Sequence, residues 1–121
     1  MQHTFPQNQR LKGKTAFTVL FKEGHSAFAF PVICKFLWVT NKTKQPFKVA
    51  FVVPKKRQRL AVRRHKIKRQ MTEAFRLNKH LLNHKQGFTL TCLFIYVDHK
   101  ANSFETLQSA MLKTINYLNK H

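Results

Sequence analysis

Two apolar runs of strand character, FKVAFVVP at Phe47–Pro54 and FTLTCLFIYV at Phe88–Val97, are separated by a helical pattern from about Leu60 to Asn83. A helix between two strands of one sheet is a crossover, so at least one strand pair must be parallel. The second run follows Gly87 and is apolar almost throughout, which suits a central strand covered on both faces. At 100° per residue, Leu60, Ile67, Met71, Ala74 and Phe75 share one arc of the intervening helix, the stripe that would lie on the sheet. His65, Lys66, Lys68, Arg69 and Arg76 fall outside that arc. Arg64 lies near its edge, so its side chain must reach past the end of the core or snorkel.

The remaining elements follow from shorter patterns. Phe17, Leu20 and Phe21 recur at i, i+3 and i+4 within Thr15–Lys22, and Gly24 stands where a helix stop belongs. Ala27–Phe30 reads as a short strand and VICKFLWVT, Val32–Thr40, as a longer one. The polar stretch NKTKQP separates this from FKVAFVVP, and the two strands it joins can pair directly. A last helix begins after Asn102-Ser103, a cap-like pair, with Phe104, Leu107, Met111, Ile115 and Leu118 along one face. The order αβββαβα predicts an α+β two-layer sandwich with helices packed on a mixed sheet. Residues 1–9 are polar, contain Pro6 and read as a flexible arm. Residues 10–121 then form a single domain, large enough for a core without disulfides or a structural metal.

Charge sets the partner. The chain carries 23 Lys plus Arg against 4 Asp plus Glu, a formal net charge of +19. Between Pro54 and Gln70 stand nine of these cations and no acidic residue. Charged helices ordinarily alternate sign to gain i, i+4 pairs. This one repels itself, which makes sense if a dense polyanion is the normal partner. Nucleic acid fits, because each phosphate contact releases condensed counterions. A membrane surface does not, because the basic run has no Trp/Phe/Leu face for headgroups. With no apolar signal region at the N-terminus and no run of spanning length, a cytoplasmic protein without membrane association is expected. Cys34 and Cys92 lie far apart inside apolar runs, outside any CxxC pair, and read as buried free thiols.

Intrinsic chemistry finds little support. The carboxylates Glu23, Glu73, Asp98 and Glu105 are scattered one per element, without a Mg²⁺-binding cluster or an acid–base pair. His80 and His84 stand four apart, as metal ligands often do, yet the HExxH glutamate is missing. No phosphate-binding glycine loop occurs. Phe17 and Phe21 have two readings: core residues of an amphipathic helix, or exposed rings on which unpaired bases stack, a contact of roughly 1 to 3 kcal/mol per base.

KVAFVVPKK followed by LAVRRHKIKRQMTEAFR resembles the strand and basic helix of the bacterial ribonuclease P protein family, whose pattern runs A-x-x-R-N-R-I-K-R and on to E-x-F-R. Ala61, Arg64, Ile67, Lys68, Arg69, Glu73, Phe75 and Arg76 match that pattern; His65 replaces its asparagine and Lys66 its second arginine. Lysine keeps the charge without the planar fork, and histidine can hydrogen-bond while gaining a pH-dependent charge. The similarity spans about Arg10–Asn119. It implies a left-handed βαβ crossover, like the second domain of ribosomal protein S5, against the general right-handed rule.

The resemblance also implies a ribonucleoprotein endonuclease that removes the 5′ leader of precursor tRNA. Its Mg²⁺ ions and its chemistry would reside with a catalytic RNA subunit, one protein serving each RNA, and no protein residue would be catalytic. Lys55, Lys56, Arg57, Arg59, Arg63, Arg64, His65, Lys66, Lys68, Arg69 and Arg76 would then be the RNA-binding set. A groove holding Phe17 and Phe21 would take the leader. The alternative is a structural ribosomal RNA-binding protein, which would share the charge and the fold.

Overall fold

The computed structural model of the chain describes residues 14–40, 47–83 and 87–120, with side chains from Thr18 onward. The elements run α1 (Lys14–Glu23), β1 (His25–Ala29), β2 (Val32–Thr40), β3 (Phe47–Val52), α2 (Ala61–Asn78), a 3₁₀ turn (Lys79–Leu81), β4 (Phe88–Tyr96) and α3 (Phe104–Asn119). The expected arm at residues 1–9 and the NKTKQP connection lie outside the described residues.

The sheet order is β1-β2-β4-β3. β3 runs parallel to β4, as the intervening helix requires, while β1/β2 and β2/β4 are antiparallel. The direct pairing open to β2 and β3 does not occur, because β4 lies between them. Its composition explains the insertion: Leu90, Cys92, Phe94 and Tyr96 are buried on one face and Leu93 on the other, so a position at the sheet edge would expose one set.

The main core lies between one face of the sheet and helices α2 and α3. Ile67, Met71, Ala74 and Phe75 of α2 pack with Phe47, Phe51 and Phe94 of the strands. From α3 come Leu107, Ala110, Met111, Ile115 and Leu118. Leu60 is 60% exposed and does not join the stripe. It is the N-cap residue of α2, with extended φ −80° and ψ 125°, so the helical arc stops short of it. The α3 cap is as expected, the Ser103 hydroxyl accepting from the Thr106 amide at 3.2 Å. Asn119 near the end of α3 clamps the exit of α2, accepting from Asn83 N at 2.8 Å and donating to Leu81 O at 2.9 Å. Cys34 and Cys92 are both buried and free. Burial pushes the Cys34 thiol well above its ordinary pKa, and the neighbouring Cys92 adds to the shift.

On the opposite face α1 covers only part of the sheet. Leu20 inserts against Leu93, with Leu37, Ala50 and Ile95 around it. Gly24 ends α1, its amide donating to Leu20 O at 2.9 Å. A Cβ there would stand 2.3 Å from Leu20 O and 3.2 Å from Phe36 O, so close backbone approach dictates the glycine. Gly24→Ala is therefore expected to lower stability by about 1 to 3 kcal/mol, measured by urea unfolding; an unchanged midpoint would show that α1 can shift freely.

Candidate nucleic-acid interface

The basic segment enters α2 through a loop held in place by polar contacts. Gln58 is buried, and its Nε2 donates to His99 O at 2.6 Å. Arg57 Nη1 lies 3.2 Å from His99 Nε2. The segment bearing His99 is braced in turn: Asn102 Nδ2 donates to Tyr96 Oη at 2.7 Å and to Asp98 Oδ2 at 2.9 Å, while Tyr96 Oη donates to Lys100 O. The Asn102 hydrogen bond holds the Asp98 carboxyl below its usual pKa, and burial raises that of the Tyr96 phenol. Sequence reasoning missed Gln58, whose only signal is one uncharged polar residue in a run of cations.

Arg64 resolves the awkward position that its place near the apolar arc created. Its Nη1 donates to Gln58 O at 3.0 Å and Arg59 O at 2.8 Å, so the guanidinium folds back over the helix start instead of entering the core. Ala61, Arg64, His65 and Lys68, at i, i+3, i+4 and i+7, form one stripe facing the end of β3. With Phe51, Val52 and Val53 they line an open pocket of about 340 Å³. The helix start has no side-chain cap and no acidic residue in its first turn. Its amides and macrodipole thus add positive potential to a site that already holds Arg64 and Lys68.

The structure distributes the other candidates around this pocket. Lys55, Lys56, Arg59, Arg63, His65, Lys66, Lys68 and Arg69 are exposed; Arg57 and Arg64 are half-buried. Of the two departures from the family pattern, His65 lines the pocket, whereas Lys66 is not among its lining residues. Arg76 lies at the far end of α2 and pairs with Glu73, its Nε donating to Oε2 at 2.9 Å. That hydrogen bond lowers the Glu73 pKa and raises that of Arg76.

On the α1 face, Phe21 is 55% exposed, so it is not a core residue. The Phe17 side chain and His84 lie outside the described residues. Strand register places Ile33, Lys35 and Leu37 of β2 on this face, with Lys48, Ala50 and Val52 of β3. Lys35 and Lys48 were not foreseen as site residues, although a lysine inside an apolar strand run was the visible signal. Among the described residues, no helix is long and apolar enough to cross a membrane.

Fold and site together define a class: a small mixed-sheet α+β protein with a cationic pocket where a parallel strand hands over to its crossover helix. The family model described as Ribonuclease P matches residues 5–119. The ribonuclease P protein component of Porphyromonas gingivalis is 32% identical over 117 residues, covering 90% of this chain and 82% of that protein. The corresponding protein of Chlorobaculum tepidum is 33% identical over 89 residues, 71% of this chain and 58% of that one. Among solved structures, the RNase P protein of Thermotoga maritima superposes with a TM-score of 0.66 at 26% identity, covering 93% of this chain and 96% of that one. A Staphylococcus aureus RNase P protein mutant described as defective in mRNA degradation shares the fold, with a TM-score of 0.73 at 24% identity over 94% of this chain and 90% of that one. The chain belongs to the ribonuclease P protein family, the protein components of an endoribonuclease that also contains RNA.

Proposed function

We propose that this chain binds the catalytic RNA of ribonuclease P through the Lys55–Arg69 surface and the 5′ leader of precursor tRNA on the α1 face, while the RNA carries out phosphodiester hydrolysis. The observation that supports this most directly is the exposure of the cations from Lys55 to Arg69 around a pocket at an uncapped helix start, with no carboxylate among its lining residues. Phosphates supply the missing counter-charge. Exposed Phe21 and the lysines of the sheet face suit a single strand, whose bases stack and whose backbone is anionic.

The donors among the described residues do not assemble a site for a held Mg²⁺. Among the described residues no three His, Cys, Asp or Glu side chains group together, and Glu73 and Asp98 are already engaged by Arg76 and Asn102. In this reading the divalent ions belong with the RNA subunit and its substrate. The protein's part is to bind, orient and screen repulsion between the two RNAs, one protein for each catalytic RNA, in the cytoplasm.

Mixing the protein with its cognate catalytic RNA and precursor tRNA at low Mg²⁺ should speed cleavage well above RNA alone. Precursor should also bind more tightly than mature tRNA. No acceleration overturns the reading, and equal binding of the two tRNAs is what a structural RNA-binding protein of ribosomal type would give.

A further inference from the structure

The first antiparallel hairpin presents an inverted strand. In the sequence AFAF, Ala27 and Ala29 are buried, at 5% and 9% exposure, whereas Phe28 and Phe30 are 65% and 57% exposed. A half-buried strand ordinarily turns its large apolar residues inward and polar ones to water. Here the small residues take the inner face beneath α3, and two phenyl rings face solvent with centroids 6.5 Å apart and planes inclined at 51°.

Register shows where those rings stand. Phe28 pairs with Ile33, Ile33 with Ile95, and Ile95 with Val52. These four side chains form one row across the whole sheet on the α1 face, and Ile95 packs against the Leu20–Leu93 cluster. At its far end Val52 lines the pocket of Arg64, His65 and Lys68. The row thus joins a cationic pocket at one sheet edge to an aromatic pair at the other. Three strand spacings give a path of about 14 Å. That suits about four stacked nucleotides, fewer if the strand is extended. Lys35, in the next row, supplies a cation on the same face.

We infer that Phe28 and Phe30 form a base-stacking platform at the distal end of this row, where a single-stranded leader that enters the α1 face beside Val52, next to the RNA-binding pocket, places its farther bases. The inference rests on the proposed leader binding and extends it to the β1 edge. The charge of the face selects a polyanion, and exposed rings contact any base through its π-face, so the platform senses leader length more than leader sequence.

The test uses protein assembled with its catalytic RNA and precursor tRNAs whose leaders increase in length. With the wild-type protein, affinity rises as the leader grows and then levels off. In Phe28→Ser/Phe30→Ser, and equally in Phe28→Leu/Phe30→Leu, which keeps the apolar surface without rings, the plateau should come at a shorter leader. The long-leader affinity should fall about tenfold for each base unstacked. A fluorescent base analogue in the distal leader should be quenched by wild type and not by either variant. Identical length dependence in all three proteins overturns the platform while leaving leader binding intact. A wild-type protein indifferent to the leader overturns both. Loss of self-association in the variants, with unchanged leader binding, would assign the rings to a second copy of the chain and also overturn the inference.

Discussion

Phe75→Ala should lower the unfolding free energy by about 3 to 5 kcal/mol, the range for removing a fully buried aromatic ring. Phe75 has 0% exposure and sits where α2 meets the sheet. It packs edge-on against Phe47 at 5.6 Å and Phe51 at 5.9 Å, and tilted against Phe94 at 5.6 Å. Three rings from two adjacent strands therefore converge on one ring of the helix. A domain of this kind has on the order of 5 to 15 kcal/mol of stability, so the loss is a large share of it. At about 4 °C per kcal/mol, melting should fall by about 12 to 20 °C. Phe75→Leu, which retains most of the volume, should cost much less. A loss below about 1 kcal/mol for the alanine variant would mean that α2 is held by its polar loop and not by this cluster.

That cluster is also why so much of the fold is legible in the sequence. Ile67, Met71, Ala74 and Phe75 repeat at helical spacing because each must meet the sheet, and all four are buried. The uninterrupted apolar run of β4 announces a strand covered on both faces, and β4 is indeed internal. Pairing order is a different kind of information. NKTKQP permits β2 and β3 to be neighbours, and only competition for the sheet centre, which β4 wins by having two apolar faces, separates them. Leu60 misleads for a related reason: angular position alone cannot say that the helix begins one residue later, beyond the reach of the core.

The candidate site divides in the same way. The basic run is visible at once because like charges without partners are conspicuous. Its pocket is not, because Val52 at the end of β3 and Val53 just after it meet Arg64 and Lys68 only through the crossover. Gln58 and His99 are 41 residues apart and meet through one amide–carbonyl hydrogen bond that no local pattern signals. The exposed rings of AFAF were hidden for the opposite reason. Alternation identifies a strand but not which of its faces the helices will cover.

Arg64 and Lys68 share the pocket yet should respond differently to truncation. Lys68 is exposed two turns into α2. Lys68→Ala should leave the melting temperature near wild type and weaken binding to RNA, with the slope of log K against log salt less steep by about 0.7 to 0.9 for each phosphate no longer neutralised. Arg64→Ala should change the slope likewise and also cost stability, about 1 to 2 kcal/mol, because its guanidinium ties down the carbonyls of Gln58 and Arg59. Both of those bonds use Nη1, and the fork has five N–H donors, so its Nε and Nη2 edge can meet a phosphate while the loop stays tied. Arg64→Lys separates the two roles. The retained charge should keep the salt slope, while loss of the planar fork should reduce affinity and loosen the loop. A salt slope unchanged in Lys68→Ala would remove that side chain from the RNA interface. An Arg64→Ala protein that melts as wild type but binds RNA less tightly would show that the carbonyl contacts add nothing to stability and that the guanidinium serves RNA alone.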